Sequence, residues 1–205
     1  MIGGLYESSL AGLTPVDIEY ADGRRTPLPV QDWLSERPGD AALLDRCAGL
    51  TLDIGSGPGR LTVALGERGV PALGIDVTLY TVELCRAAGG LALHRDVFDR
   101  VPGAGRWETV LLADGNIGIG GDPEALLLRV AELMRPGGQA LIEVTGPGTV
   151  TRTECVRLRS AAGPEDWFRW AQVAIDDAAT LAPRCGLTVA DRWTEAGRWF
   201  VTLTR

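Results

Sequence analysis

Short apolar runs and helical spacing alternate along the centre of the chain. The runs have the length expected of buried strands and lie at residues 50–54, 70–75, 91–93, 109–113 and 139–144. Between them, apolar residues recur at helical spacing, at residues 61–65, 78–87 and 123–134. Because helices recur between strands, the pattern predicts a parallel sheet with right-handed crossovers.

The last third of the chain changes pattern. Residues 151–159 and 167–173 alternate between apolar and polar positions, and the turn-rich segment 160–166 joins them. This arrangement predicts an inserted β-hairpin. A longer helix through Trp167 and Trp170 is the alternative interpretation of the same stretch.

Both ends of the chain are also patterned. Residues 187–193 and 198–204 flank a turn and predict a terminal antiparallel hairpin. Residues 1–46 precede the first strand and combine turn signals with apolar positions such as Trp33. That segment is too ordered in pattern to be a disordered tail.

Composition limits the function classes. At 205 residues the chain fits a single domain. Its net charge is −7 and its 20 basic residues are all arginine, so we expect no nucleic-acid partner and infer a GC-rich bacterial source. The sequence contains neither a membrane-span-like apolar run nor a signal-peptide pattern, which predicts a cytoplasmic protein with no membrane partner. The four cysteines are dispersed, so neither disulfides nor a zinc site is expected.

The most informative motif is LDIGSGPGR at residues 52–60. Asp53 ends an apolar run, and Gly55, Gly57 and Gly59 follow at alternate positions. Glycines leave no side chain between the backbone and a ligand, so a ligand can approach the main chain closely. The carboxylate of Asp53 would repel a pyrophosphate but suits a ligand that carries an amine or a sulfonium.

This motif resembles the first motif of the class I S-adenosylmethionine-dependent methyltransferases, an acidic residue followed by x-G-x-G-x-G. The resemblance implies that S-adenosylmethionine is the cofactor and that the glycine turn seats its methionine end. We expect Asp53 to act through the hydrogen bonds of the turn itself.

Two further strand ends carry acidic residues in register with that motif. Asp76, followed by Val77, stands 21 residues after Gly55, where a carboxylate can accept from both hydroxyls of a ribose. Enzymes that bind NAD share this feature. Asp96 and Val97 resemble the acidic and apolar pair of the family, which contacts the adenine amino group and ring.

The loop ADGNIGIGGD at residues 113–122 begins at the end of the fourth strand. Ligands of parallel sheets bind outside the carboxyl ends of the strands, which places this loop over the reactive end of the cofactor. The resemblance implies that Ala113 or Asp114 contacts the methionine amine and that Asn116 helps to orient the substrate. The alternative is that the glycines only allow the loop to turn. The loop is similar to that of a small actinobacterial subfamily.

The resemblance also implies the fold, an α/β, Rossmann-like, seven-stranded sheet that is mostly parallel. Its C-terminal hairpin would add an antiparallel strand, helices would cover both faces, and a hairpin would be inserted after the fifth strand. Residues 47–205 would form one methyltransferase domain, with the substrate-side hairpin at 150–175. Residues 1–46 would form a lid over the active site or only cover the sheet edge.

Methyl transfer from a sulfonium is an in-line displacement with a neutral leaving group, so positioning and exclusion of water can supply much of the catalysis. An alcohol or phenol acceptor would need a general base within hydrogen-bond reach. Asp114 is the best-placed catalytic candidate, with Glu143 and Tyr6 behind it. The sole histidine, His94, lies on the adenine side and is a poor candidate.

Aromatic residues are the candidates for holding the acceptor. Trp167 and Trp170 fall in the inserted hairpin and would stack on a flat molecule, although aromatic residues also serve as core. Tyr6 and Asn116 complete the predicted substrate contacts. The fifth strand ends in EVTGPG rather than in an Asp-Asn pair, so we expect no metal.

The preferred hypothesis is a methyltransferase, monomeric or homodimeric, that acts on a small molecule and favours oxygen as the acceptor atom. The enzyme alternative is an NAD-dependent reductase, disfavoured by the glycine spacing and by the lack of a lysine for a Tyr-x-x-x-Lys motif. The non-enzyme alternative is a catalytically idle protein that binds S-adenosylmethionine as a partner or sensor subunit.

Overall fold

A computed structural model describes residues 3–205 of the chain. The N-terminal segment contains three short helices and a β-hairpin. In chain order these are α1 Gly4–Leu10, β1 Asp17–Tyr20, β2 Arg25–Pro27, α2 Gln31–Leu34 and α3 Asp40–Leu44.

The central part alternates strands and helices, as the apolar pattern predicts. Its elements are β3 Thr51–Ile54, α4 Arg60–Glu67, β4 Ala72–Asp76, α5 Leu79–Ala87, β5 Ala92–His94, β6 Trp107–Leu112, a 3-10 helix at Asn116–Gly121, α6 Pro123–Leu133 and β7 Met134–Val144.

The last part is mostly β-structure. Its elements are β8 Arg152–Ser160, β9 Gly163–Pro164, β10 Phe168–Gln172, a 3-10 turn at Ile175–Asp177, α7 Ala178–Arg184, β11 Thr188–Glu195 and β12 Arg198–Thr204. None of the helices within residues 3–205 has the length and apolar content needed to cross a membrane.

The main sheet has seven strands in the order β11-β12-β7-β6-β3-β4-β5. The five strands from β7 to β5 are parallel, and β12 is antiparallel to both of its neighbours. This order confirms the predicted Rossmann-like sheet with its antiparallel C-terminal hairpin. It also places the switch point of the parallel strands between β3 and β6, where two loops begin. These are the glycine turn and the loop at residues 113–122, which we call the DGN loop.

The main sheet is buried on both faces, which is why its strands read as continuous apolar runs. Along β6, Leu111 packs in one apolar cluster with residues of α3 and α4. Its neighbours Val110 and Leu112 pack in a second cluster with residues of α6 and α7. Helices therefore cover both faces, as predicted.

A second sheet, antiparallel throughout, has the order β10-β8-β1-β2. Strands β8 and β10 confirm the predicted inserted hairpin, and the helical alternative is wrong because Trp170 lies opposite Glu154 in the ladder. The pairing of β1 with β8 is a contact that the sequence pattern does not predict. Part of the N-terminal segment thus belongs to the same sheet as the insertion.

The turn between β3 and α4 needs its glycines for two different reasons. Gly55, Gly57 and Gly59 all have positive φ, a region that favours glycine. At Gly59 a Cβ atom would also collide with the Sγ and Cβ atoms of Cys85 in α5. Gly59 therefore sets how closely α5 approaches the start of α4.

Comparing Gly59 with Gly69 separates the cost of backbone strain from the cost of the collision. Gly69 is a matched control, because it also has positive φ but has open space where a Cβ atom would lie. Both Gly→Ala variants strain the backbone, but only Gly59→Ala adds the collision with Cys85. We expect Gly59→Ala to lower the free energy of unfolding by about 1–3 kcal/mol more than Gly69→Ala, measured by urea denaturation. Equal losses would mean that α5 moves away at little cost.

Candidate active site

A cavity of about 780 Å³ lies at the carboxyl ends of β3, β4, β5 and β6. The second sheet and the N-terminal segment cover it from the opposite side. Most of the residues predicted for a ligand site line this cavity. They are Tyr6, Asp53, Gly55, Gly57, Asp76, Val77, Asp96, Val97, Ala113, Asp114, Asn116 and Trp170.

Two predicted site residues do not line the cavity. Gly59 packs against Cys85 and has the structural role described above. Trp167, which the sequence predicts for the substrate site, is 44% exposed and lies under the Arg157 guanidinium, which is 4.2 Å from the ring centroid. Phe168, the next residue, lines the cavity instead.

Asp76 ties the glycine turn to the start of α5. Its Oδ2 atom accepts a hydrogen bond from the Gly57 amide at 3.0 Å, and its Oδ1 atom accepts one from the Thr78 amide at 2.8 Å. The hydroxyl of Thr78 is buried and has no hydrogen-bond partner within residues 3–205. The end of β4 therefore presents a fixed carboxylate beside an unpaired polar atom.

Asp96 lies on the exposed side of the cavity. Its Oδ1 atom accepts from the Phe98 amide at 2.9 Å, which fixes the carboxylate at the end of β5. Val97 beside it is buried, whereas Phe98 is 46% exposed and lines the cavity. Phe98 is a contact that the sequence does not single out, although it directly follows the Asp-Val pair.

The hydrogen bonding of Asp53 differs from the one that the sequence predicts. Its carboxylate accepts from the Thr62 hydroxyl of α4 at 2.7 Å, and the Gly57 amide is bonded to Asp76 instead of to Asp53. Asp53 therefore links β3 to α4 rather than bonding to the turn. Burial raises the pKa of Asp53 to about 7, while the hydrogen bond from Thr62 opposes that shift.

Asn116 braces the glycine turn. Its Nδ2 atom donates to the carbonyls of Ile54 at 2.9 Å and of Gly55 at 3.0 Å. Because both amide hydrogens are used in this way, only the Oδ1 atom of Asn116 is left for a substrate.

The glycines of the DGN loop let it pack closely against β10. A Cβ atom at Gly118 would collide with the Ala171 carbonyl, and one at Gly121 would collide with the Arg169 side chain. The 3-10 helix thus joins the ends of the main sheet to the second sheet. This close packing gives the glycines a role beyond allowing the loop to turn.

Six charged side chains form a largely buried group at the ends of β6 and β7, which we call the ion-pair cluster. It contains three arginines and three carboxylates, Arg37, Arg60, Arg198, Asp40, Asp114 and Glu143. The formal charges of these six cancel, and the half-exposed Asp32 adds an ion pair to Arg37 at 3.6 Å. Two of the arginines lie in segments that the sequence singles out, since Arg60 ends the glycine motif and Arg198 lies in the terminal hairpin. The sequence does not indicate their ion-pair partners.

Arg198 is the centre of the ion-pair cluster. Its Nε and Nη2 atoms hold both oxygens of Glu143, at 2.9 and 2.8 Å, and its Nη1 atom bonds to Asp40 at 2.7 Å. Although burial opposes ionisation of both groups, this hydrogen bonding lowers the pKa of Glu143 and raises the pKa of Arg198. Both groups are therefore charged at neutral pH.

Asp114, the predicted catalytic base, is engaged on both oxygens. Arg37 bonds to its Oδ1 atom at 3.1 Å, and Arg60 bonds closely to its Oδ2 atom. Burial raises the pKa of Asp114, and the charge of Arg60 opposes that shift. A general base needs a free lone pair directed at the acceptor. The pairing therefore favours a positioning role for Asp114 over proton abstraction.

Tyr6 brings the N-terminal segment to the glycine turn. Its hydroxyl lies 3.5 Å from the position that a Cβ of Gly57 would take, and its ring packs edge-on against Trp33 at 5.8 Å. Burial, reinforced by the nearby charges of Asp76 and Asp114, raises the pKa of Tyr6. The hydroxyl therefore keeps its proton and can only donate or accept a hydrogen bond.

Removing Arg198 should destabilise the protein strongly, because it leaves buried carboxylates without a counter-charge. We expect Arg198→Met to lower the free energy of unfolding by about 3–5 kcal/mol. The control is Arg192→Met, at an exposed position of β11, which should change it by less than about 0.5 kcal/mol. Urea denaturation of both variants measures the difference, and similar small losses would mean that the cluster does not hold the fold together.

Asp53 should make stability depend on pH. The folded state keeps the Asp53 proton up to about pH 7, whereas the unfolded chain releases it near pH 4. Stability should therefore fall as pH rises through that window, on the order of 1 kcal/mol per unit of pH. Asp53→Asn lacks this titration, so its stability relative to the unchanged protein should rise between about pH 4.5 and about pH 8 in urea denaturation. A constant difference would contradict the raised pKa.

The comparison with known proteins rests on structure rather than on sequence. No protein-family model matches the chain, and a search of curated proteins finds no significant match. An S-adenosylmethionine-dependent methyltransferase from Bacteroides fragilis, in complex with S-adenosyl-L-homocysteine, is 20% identical, with a TM-score of 0.81 over 98% of this chain and 92% of that chain.

Two similar structures have stated substrates or pathways. An amino pentose methyltransferase from Micromonospora echinaspora, bound to S-adenosylmethionine and involved in calicheamicin biosynthesis, is 16% identical, with a TM-score of 0.62 over 100% of this chain and 98% of that chain. The 1,6-didemethyltoxoflavin-N1-methyltransferase from Burkholderia thailandensis is 20% identical, with a TM-score of 0.60 over 85% and 80% of the two chains. The chain therefore has the class I fold of S-adenosylmethionine-dependent methyltransferases.

Proposed function

We propose that this protein binds S-adenosylmethionine and transfers its methyl group to a hydroxyl oxygen of a small molecule. One observation carries the proposal. The glycine turn, Asp76, the Asp96-Val97 pair and the Ala113-Asp114 pair all face one cavity at the carboxyl ends of adjacent parallel strands. Two of the solved structures with this fold hold S-adenosyl-L-homocysteine or S-adenosylmethionine.

The cavity fits such a cofactor in size and in polarity. Its volume of about 780 Å³ falls within the roughly 300–1,000 Å³ of sites that enclose small molecules. Gly57 leaves the turn open towards the cavity, and the orphaned hydroxyl of Thr78 supplies an unused polar atom beside Asp76. A polar ligand at the end of β4 would satisfy that atom.

In this proposal each strand end holds one part of the cofactor. Asp76 accepts from the ribose hydroxyls, and Asp96 accepts from the adenine amino group. Ala113 and Asp114 contact the methionine amine. Val77 presents its side chain, and Val97 its backbone, beside the adenine.

The bound cofactor would supply an electrophilic methyl group attached to a sulfonium. The residues of this chain would orient the acceptor in line with that methyl group and keep water away from the reacting atoms. The second sheet and the N-terminal segment, including Tyr6, would do so by covering the cavity. Because Asp114 is held by arginines, the hydroxyl proton of the acceptor would be released to solvent as the O–CH3 bond forms and the S–CH3 bond breaks.

The acceptor must offer a lone pair, which favours a hydroxyl over an amine. An amine that is protonated at neutral pH must lose its proton before it can attack the methyl group, whereas a hydroxyl oxygen carries lone pairs without prior deprotonation. Asp114 and Glu143 are held by arginines and are poorly placed to take an ammonium proton. This argument supports oxygen as the acceptor atom. Nitrogen is the competing atom, since three similar structures are N-methyltransferases, one acting on 1,6-didemethyltoxoflavin, one on a sugar and one on a glycopeptide.

Titration of the protein with S-adenosylhomocysteine by calorimetry tests the cofactor. Loss of the ribose contact in Asp76→Ala should weaken binding by about 1–3 kcal/mol, roughly 5- to 150-fold in Kd. Asp99→Ala is the control, because Asp99 is exposed and lies outside the cavity lining. Equal affinities of the two variants would mean that the ribose site is misplaced, and tighter binding of NAD would point to a reductase.

Turnover tests the enzyme and the acceptor atom. Formation of S-adenosylhomocysteine should be measured against phenols, alcohols and amines. Methylation of hydroxyl compounds supports the proposal, and methylation confined to amines would assign nitrogen instead. Binding without turnover across the panel would favour an idle cofactor-binding protein.

A further inference from the structure

The second sheet presents an apolar face to the cavity, which we call the apolar wall. It consists of Ile18 and Tyr20 of β1, Val156 and Leu158 of β8, and Phe168 and Trp170 of β10.

Strand register places the members of the apolar wall on one face. Val156 lies opposite both Phe168 and Tyr20, and Leu158 lies opposite Ile18. Directly opposite residues of an antiparallel pair point to the same side of the sheet. The wall is therefore a consequence of the β1–β8–β10 pairing and is shared by three strands.

Most charged residues of the same strands point away from the cavity, and only Glu154 of β8 and Arg169 of β10 are among its lining residues. On the outer face, Glu19 binds Arg25 at 3.0 Å, Arg157 at 2.6 Å and Arg159 at 2.8 Å. None of these four side chains lines the cavity. The alternation of the strands thus separates an ionic outer face from an apolar inner face.

The carboxylate among these two lining residues is already compensated. Glu154, opposite Trp170, forms ion pairs with Arg24 at 2.5 Å and with Arg152 at 3.0 Å. A substrate cation would have to compete with both arginines for this carboxylate. The wall therefore offers apolar area and ring faces rather than charge.

Two aromatic side chains give the wall a specific shape. The rings of Phe168 and Trp170 pack edge to face, with centroids 6.3 Å apart and an interplanar angle of 87°. The indole of Trp170 also lies against Gly118, where a Cβ atom would collide with it. Both rings are only partly buried, so they are fixed by packing and still expose area to the cavity.

We propose that the acceptor is an uncharged molecule with a planar aromatic ring and that the apolar wall holds this ring. The inference rests on the proposed function, which assigns the opposite side of the same cavity to the cofactor. An aromatic ring gains both apolar burial and ring packing against Phe168 and Trp170. A polyhydroxylated sugar would lose its water hydrogen bonds against the wall without replacement.

Calorimetric titration with two probes, 2-naphthol and glucosamine, tests the proposal. Each is titrated with and without saturating S-adenosylhomocysteine. We expect 2-naphthol to bind, and Trp170→Ala to weaken it by about tenfold. Phe168→Ala should also weaken the binding of 2-naphthol. Using two variants ensures that the conclusion does not rest on the folding of a single variant. Glucosamine should show no measurable binding.

The matched control is Trp167→Ala. It removes the same side chain three residues away, from outside the cavity, and should leave the Kd of 2-naphthol unchanged. Absence of 2-naphthol binding, equal effects of the Trp167 and Trp170 substitutions, or binding of glucosamine alone would overturn the aromatic assignment. Failure of S-adenosylhomocysteine to bind would overturn the proposed function separately, since the titrations without it still test the wall.

Discussion

The ion-pair cluster is the constraint on which the geometry of the cavity depends. A buried charge without a counter-charge is strongly unfavourable, so displacing one member leaves its partners uncompensated. Arg60 follows the glycine turn, Asp114 ends β6, and Arg198 comes from β12. Asp40 brings the N-terminal segment into the same group. The cluster therefore couples four distant parts of the chain at the edge where the parallel strands end, and it fixes the position of the DGN loop relative to the turn.

The carboxylates at the ends of the parallel strands fall into two classes, according to whether arginines pair with them. The carboxylates at the ends of β6 and β7 are neutralised by arginines, whereas Asp76 and Asp96 accept only backbone amides from residues 3–205. Carboxylates bonded only to amides keep capacity for further donors. The polar side of the cavity is thus directed towards β4 and β5, and the apolar wall stands across from it. Such a cavity suits a polar group on one side and an apolar group on the other better than a ligand of uniform polarity.

Patterns within short stretches of sequence predicted most of the fold. The features that they did not predict depend on contacts between residues far apart in the chain. The strands and the glycine turn follow from periodicity and turn chemistry, which short stretches of sequence carry. The pairing of β1 with β8 joins residues such as Ile18 and Leu158, for which no local pattern exists. The partners of Asp114 were missed for the same reason. Trp167 and Trp170 show what the strand pattern itself implies, because residues three apart in a strand point to opposite faces, and only Trp170 lines the cavity.

The two sides of the cavity have different origins in the chain. The polar side comes from the ends of parallel strands and is part of the class I fold, whereas the apolar wall is built from the N-terminal hairpin and the insertion after β7. Substitutions on the inner face of the second sheet can therefore alter the acceptor without disturbing Asp76 or the glycine turn. The close packing of Gly118 and Gly121 against β10 limits that independence, since it sets the distance between the wall and the DGN loop. Acceptor choice should therefore vary through the side chains of the wall, while the separation of its two sides stays constant.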